Sequence, residues 1–229
     1  MSRSDAQPAA RPEAGLAIEQ CGERLTLLPD RAVWWEAQRT LLVADVHVGK
    51  SATFRALGVP VPGATDAGTL DRLDALLAAT GAERLVVLGD LLHARRAHEP
   101  AVLEPLARWR ARHAGLEVVL VRGNHDARAG DPPARLGIRT VDEPLGAGPF
   151  ALCHEPRPCT AGYVLAGHLH PAVRLAARAD SLRLPCFWFG AAVGVLPAFG
   201  EFTGSLTIRR AAGDRVFAIA GDRVVALPS

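Results

Sequence analysis

Apolar runs of four residues recur along the first half of the chain, and each is soon followed by residues with oxygen or imidazole side chains. Leu41-Leu42-Val43-Ala44 ends at Asp45, Leu85-Val86-Val87-Leu88 ends at Gly89-Asp90, and Val118-Val119-Leu120-Val121 is followed by Gly123-Asn124. Runs without polar alternation are typical of strands buried on both faces. Between them the period changes. Leu70, Leu73, Leu76 and Leu77 predict a helix over 65–80, with Thr65 or Asp66 as its cap. Leu103, Leu106 and Trp109 predict a second over 99–114, with Pro100 suited to its first turn. Upstream, segments 16–20, 24–28 and 32–36 are short and separated by turn residues, the pattern of a β meander. From 138 onward short strands are predicted at 138–141, 149–153, 163–166, 173–177, 182–189, 205–210, 215–219 and 223–227, with no amphipathic helix among them.

Strand, helix, strand, helix, strand argues for βαβ units and a largely parallel sheet. The later segments predict a second sheet, mostly antiparallel. Residues 1–14, rich in Ala and Pro, read as a tail, and 15–229 as a single domain without repeat or linker. The segment Leu184–Gly200 carries no charge, but Pro185, Gly190, Gly194 and Pro197 break it. It also falls short of the ~20 residues that a spanning helix needs. It reads as buried strands and turns, with Phe187, Trp188 and Phe189 on a strand of the second sheet, mostly buried and remote from any chemistry.

Composition narrows the class. The chain has 229 residues, 49% hydrophobic and 22% charged, enough to bury one core without disulfides. A net charge of +2 does not announce nucleic-acid binding. The four cysteines form no CxxC pair, and no apolar run opens the chain. Reduced thiols in a cytoplasmic protein, away from any membrane, are the simplest expectation. Of the 26 basic residues only Lys50 is lysine. A lone ammonium in an arginine-rich chain hints at a position that wants a compact charge.

The strand ends carry the candidate chemistry. In an open α/β sheet, sites form beyond the carboxyl ends of the strands. Asp45 and His47 lie two apart, so on a strand both would face one ion. Gly89 and Gly123 let the backbone turn sharply beside Asp90 and Asn124. Further on, Cys153-His154 follows Phe150-Ala151-Leu152, and Gly167-His168-Leu169-His170 follows Tyr163–Ala166. Five of the eight histidines thus stand at strand ends beside glycines, acids or amides. One such histidine is an ordinary polar residue. Five in this order imply metal-ligand chemistry.

These residues resemble the calcineurin-like metallophosphoesterases, whose pattern is DxH, GD, GNH[DE], a lone His, then GHxH. Here the blocks are Asp45-Val46-His47, Gly89-Asp90, Gly123-Asn124-His125-Asp126, His154 and Gly167-His168-Leu169-His170. The stretches DVHVGK, GDLLHAR and LPAFGEFTG are similar to the bacterial DNA-ligase-associated endonucleases of the DNA damage response. The resemblance implies an α/β fold: a four-layer α/β/β/α sandwich of two mixed sheets flanked by helices. It implies two divalent ions per chain, Mn²⁺ foremost, with Fe or Zn²⁺ as alternatives. The first ion would take Asp45, His47, Asp90 and His170. The second would take Asp90, Asn124, His154 and His168. A water acidified between the ions would attack phosphorus, His125 would protonate the leaving group, and Asp126 would orient His125. The implied activity is a phosphodiesterase, a nuclease on DNA, with a DNA ligase and a helicase as partners. Lys50, Arg95 and Arg122 are candidates for substrate binding, with Arg55, Arg96 and Arg128 also near the motifs. A phosphatase or cyclic-nucleotide phosphodiesterase of the same fold stands as the alternative. A non-catalytic scaffold would show degraded ligands, and none is degraded here.

Overall fold

The structure, a computed structural model, describes residues 14–59, 65–176, 181–201 and 203–228. Nearly all of the expected tail, and the side chains of Thr65 and Asp66 expected to cap a helix, lie outside the described residues.

The first sheet sets its strands side by side in chain order: β1 (Leu16–Gln20), β2 (Glu23–Leu28), β3 (Ala32–Trp35), β4 (Thr40–Val43), β5 (Arg84–Leu88), β6 (Glu117–Val121) and β7 (Ile138–Val141). β1 to β4 form the antiparallel meander, and β4 to β7 run parallel. Helices α1 (Lys50–Ala56) and α2 (Thr65–Thr80) link β4 to β5. Helix α3 (Pro100–Arg112) links β5 to β6, and α4 (Asn124–Ala129) lies between β6 and β7.

The second sheet comprises β8 (Leu145–Ala147), β9 (Phe150–Leu152), β10 (Tyr163–Ala166), β11 (Pro171–Ala176), β12 (Ser181–Phe189), β13 (Val193–Val195), β14 (Leu206–Thr207), β15 (Arg215–Ala220) and β16 (Arg223–Ala226). Its order is β14-β11-β12-β13-β10-β9-β8, with β15 paired to β12 and β16 to β15. β10 runs parallel to β9 and β13, and β11 to β14; the other pairs are antiparallel. The two mixed sheets flanked by helices are the expected α/β architecture. Strands β8 and β13 escape the sequence pattern because three residues, LGA and VGV, carry no periodicity. The expected strand 205–210 keeps only Leu206 and Thr207.

Why β4, β5 and β6 lack polar alternation is plain from their two coats. Leu41, Val43, Leu85, Val87, Val118 and Leu120 pack under Leu70, Leu73, Leu76 and Leu77 of α2 and Leu103, Leu106 and Trp109 of α3. The alternate residues Leu42, Val86, Leu88, Val119 and Val121 face Phe150, Leu152, Leu165, Phe187 and Phe189 of the second sheet. Each fully buried side chain of this size contributes about 1.5–3 kcal/mol. The packing fixes the two sheets so that the carboxyl ends of β4, β5, β6, β9 and β10 open on one place.

Candidate metal centre

Five loops meet there, and hydrogen bonds stitch their backbones together. Asp45 N donates to Gly89 O (3.1 Å) and His47 N to Asp90 O (2.8 Å). From the far end of the chain, Phe199 N donates to Ala44 O (2.8 Å) and Gly200 N to Asp45 O (3.0 Å). Arg31 and Arg72 in turn hold the carbonyls of Ala198, Phe199 and Gly200. Ala198, Phe199 and Gly200 of the LPAFGEFTG stretch therefore brace the Asp45 loop.

Asp45 and His47 do not meet by strand alternation, as the sequence suggests. β4 ends at Val43, and both residues are left-handed, with φ of 54° each. Asp90 (55°), His168 (69°) and His170 (48°) share this conformation. Among the described residues only eight that are not glycine do so. Each costs about 1–3 kcal/mol, and such strain persists where the surroundings over-determine it. Two glycines leave room for the side chains. A Cβ on Gly89 (φ +81°) would stand 2.0 Å from His154 Nδ1, and one on Gly123 2.3 Å from Asp90 Oδ1.

The side chains sort into two groups around Asp90. On one side Asp45 Oδ1 lies 3.4 Å from His170 Nε2, and Asp90 Oδ2 lies 3.9 Å from His47 Nε2. On the other, His154 Nε2 lies 3.6 Å from Asp90 Oδ1, 2.9 Å from Asn124 Oδ1 and 3.0 Å from His168 Nδ1. Backbone carbonyls fix the rings: His154 Nδ1 donates to Leu88 O (3.1 Å) and His170 Nδ1 to Gly204 O (2.9 Å). In the neutral tautomer each ring then turns an Nε2 lone pair inward. Burial, with Lys50 and neighbouring histidines beside it, holds the His47 pKa far below its ordinary value, so that ring is neutral, whereas Asp45 raises the His170 pKa against burial.

The result is a crowd of acceptors. Asp45 Oδ1 and His47 Nδ1 are buried without a hydrogen-bond partner. Asp45 and Asp90 are 0% and 2% exposed. Burial raises the Asp90 pKa, His154 opposes this, and Asp45 adds to the rise. Paired buried carboxylates beside imidazole lone pairs are costly alone and suited to divalent cations. The donor atoms of Asp45, His47 and His170 converge closely enough for one ion, as do those of Asp45, Asp90 and His154.

His125 stands at the rim. Its ring Nδ1 donates to His93 O (2.7 Å), and its Nε2 lies 4.0 Å from Asp90 Oδ2. The expected orienting role of Asp126 is corrected here. Its buried carboxylate is occupied by the backbone N–H groups of Asp90 (2.7 Å), Leu92 (2.8 Å) and Gly123 (2.9 Å). It shapes the Asp90 and Asn124 loops, and the His93 carbonyl orients His125. Burial raises the Asp126 pKa to about 6 despite those N–H groups.

Arg122 is also corrected. It is engaged by Asp131 in a two-pronged pair (2.9 and 2.8 Å) and by Asp142, so its charge is spent within the chain. Arg95 instead lines an open cleft of about 730 Å³ with His93, His125 and Arg128. Lys50 is half-buried at the start of α1; burial lowers its pKa, while Asp45 and Asp90 raise it.

His93 escaped the sequence reading. Its ring stacks on His125 (4.9 Å between centroids, 19°), and with His47 and His125 it forms a third cluster of convergent nitrogens. Burial, Lys50 and His125 push its pKa down to about 4. Its sequence signal is its place three residues after Asp90, within GDLLHAR.

Residues 38–148 match the family described as calcineurin-like phosphoesterase. The crystal structure of Pseudomonas putida nuclease MPE is 51% identical, covers 93% of this chain and 100% of its own, and superposes with a TM-score of 0.82. Yfce, a phosphoesterase from E. coli, is 15% identical, covers 80% of this chain and 88% of its own, and has a TM-score of 0.38. No curated protein matches the chain. A relative sharing half its residues along almost the whole length, with a family match that spans three of the five loops, decides the matter: the chain belongs to the calcineurin-like phosphoesterase family and is a metal-dependent phosphoesterase.

Proposed function

We propose that the protein is a two-metal phosphodiesterase that cuts DNA, a nuclease of DNA repair. The observation that carries this reading is the sharing of Asp90 by two donor groups. Its Oδ2 faces His47, which converges with Asp45 and His170, and its Oδ1 faces His154, which contacts Asn124 and His168. Residues 15–229 act as one domain, because both sheets contribute to the apolar layer between them. Mixed Asp, Asn and His donors without thiolate favour Mn²⁺, with Fe or Zn²⁺ as alternatives, over Ca²⁺.

Bound there, two such cations would supply Lewis acidity to phosphate oxygens and to a water that attacks phosphorus. The chain supplies the rest. His125 presents Nε2 to the leaving oxygen while Nδ1 stays on the His93 carbonyl, so the donating form is the imidazolium. Asp126 keeps the loops of Asp90 and Asn124 in place. Lys50 adds positive charge beside the two carboxylates, where a scissile phosphate would arrive.

A DNA substrate is supported by the relative named a nuclease and by the open arginine-lined cleft beside His125. The likeness of DVHVGK, GDLLHAR and LPAFGEFTG to ligase-associated endonucleases supports a DNA ligase and a helicase as partners. Among the described residues no helix is long and apolar enough to cross a membrane.

The test is turnover of bis(p-nitrophenyl) phosphate, p-nitrophenyl phosphate, single-stranded DNA and duplex DNA, each with Mn²⁺, Mg²⁺ or Zn²⁺. The reading expects Mn²⁺-dependent hydrolysis of the diester and of DNA. Activity confined to the monoester would overturn it.

A further inference from the structure

The cleft beside His125 contains more positive charge than the chain itself uses. Arg96 is paired with Glu99 (2.9 Å), which cancels that charge. Arg95 and Arg128 line the same cleft, and neither has a carboxylate partner among the described residues. Their placement is fixed by backbone. Arg128 lies three residues after His125 on α4, hence on nearly the same face and ~4.5 Å further along. Arg95 Nε donates to the Arg128 carbonyl (3.4 Å), and His98 Nε2 lies 3.2 Å from the Gly130 carbonyl, so the short turn Arg95–His98 is tied to the end of α4.

One helix therefore begins with Asn124 and His125 at the metal centre and ends with Arg128 in the cleft. We propose that Arg95 and Arg128 form a subsite for the phosphodiester next to the scissile one, on the leaving-group side of a nucleic-acid strand. This rests on the nuclease reading and extends it. The side follows from His125: the group that protonates the leaving oxygen borders this cleft, so the departing strand must pass over it. Guanidinium groups suit the ligand, because each can hold a phosphate by two parallel N–H bonds. The volume of about 730 Å³ exceeds what one phosphate requires and leaves room for a sugar and base. The subsite reads no sequence, since it meets only the backbone.

The experiment compares the wild-type protein with Arg95→Ala, Arg128→Ala and the double variant. Both positions are exposed, so folding is not at risk. Three substrates are used: bis(p-nitrophenyl) phosphate, single-stranded DNA, and methylphosphonate strands with either one phosphodiester or two adjacent ones. On the small diester the double variant should stay within threefold of wild type. On DNA its kcat/KM should fall roughly 10–100-fold, chiefly through KM, for two lost charged contacts. The wild-type enzyme should gain from the second phosphodiester, and the double variant should not. Fluorescence anisotropy of labelled single-stranded DNA on chelator-treated protein supplies a readout without turnover. The slope of log K against log salt should become shallower by about 0.7 per arginine removed.

If wild-type protein hydrolyses the small diester but not DNA, the nuclease reading fails and the subsite with it. If wild-type protein cuts DNA and the double variant does so equally well, with the same salt slope, the subsite alone fails. Equal losses on both classes of substrate would also overturn it, since the arginines would then be acting on His125 or the metals.

Discussion

The backbone N–H of His125 donates to Oδ1 of Asp90 at 2.9 Å. The loop that presents the proposed proton donor is thus attached to the carboxylate that lies between His47 and His154. Asp90 therefore has three duties: it faces His47 through Oδ2, faces His154 through Oδ1, and anchors α4.

Asp90→Asn should consequently do more than weaken one site. An amide nitrogen replaces one charged oxygen, and a buried negative charge between two cations is lost. Elemental analysis should find fewer than two ions per chain, with turnover down by about 10²-fold or more, since outer partners alone are worth 10–100-fold. Two tightly held ions with normal turnover would refute the shared role.

Metal removal should loosen the fold itself. Asp45 and Asp90 are buried together, and Asp45 Oδ1 has no hydrogen-bond partner, only His170 Nε2 at 3.4 Å. Ions at 100 times their dissociation constant would stabilise the native state by about 2.7 kcal/mol per site. In a chain of this size that corresponds to a rise in Tm of roughly 5–10 °C. Thermal melts with chelator and with added Mn²⁺ measure it directly. The rise should vanish in Asp45→Asn combined with His154→Ala.

The same residues show what was legible from the sequence. The order of blocks from Asp45 to His170 was readable because each is a polar break after an apolar run. The left-handed backbone at Asp45, His47, Asp90, His168 and His170 was not, since even Asp and His adopt it in only a small fraction of positions. Long-range contacts impose it: Gly89 O on Asp45 N, and Asp45 Oδ2 on His168 N at 2.9 Å. The partners of Asp126 were hidden for the same reason, because Asp90 and Leu92 are 36 and 34 residues away. Arg95 and Arg122 looked alike in sequence, and only the placement of Asp131 and Asp142 separates them.

His125→Ala should retain both ions and lose roughly 10²–10⁴-fold in DNA cleavage, the range for a general acid. With a p-nitrophenolate leaving group, which needs little protonation, the loss should be much smaller. His93→Ala should fall between, because its ring stacks on His125 while its backbone carbonyl, the acceptor for Nδ1, survives the substitution. Equal losses on good and poor leaving groups would argue against proton donation.

Asp45 and Asp90 both raise the Lys50 pKa against burial, and its Nζ lies 5.8 Å from the Phe54 ring centroid. Lys50→Ala should therefore slow the small diester and DNA alike, by roughly 10²-fold if the ammonium stabilises charge on the scissile phosphate. Lys50→Arg should not restore the rate, since the planar guanidinium needs more room than the half-buried position provides. A loss restricted to DNA would move Lys50 to a flanking phosphate.

Phe187 and Trp188 are neighbours on β12 with opposite fates. Strand alternation sends Phe187, 0% exposed, into the layer between the sheets, where Phe189 follows it. Trp188 points to the other face and is only half-buried, so of the three aromatics expected to be mostly buried it is the least enclosed. Its Nε1 donates to Asp214 Oδ2 (2.8 Å), an acceptor that also receives Ala211 N (2.8 Å). With Pro156, Pro158 and Leu169 it lines an apolar cleft of about 360 Å³. Leu169 lies between His168 and His170, so this cleft adjoins the metal centre. Phe187→Ala should cost about 3–5 kcal/mol, transfer and cavity together. Trp188→Ala removes a larger ring but a smaller buried fraction and leaves no closed cavity, so roughly 1–2 kcal/mol is expected. Urea denaturation of the two variants at equal metal loading compares them. Equal costs would show that the outer face of β12 is packed as tightly as the inner one.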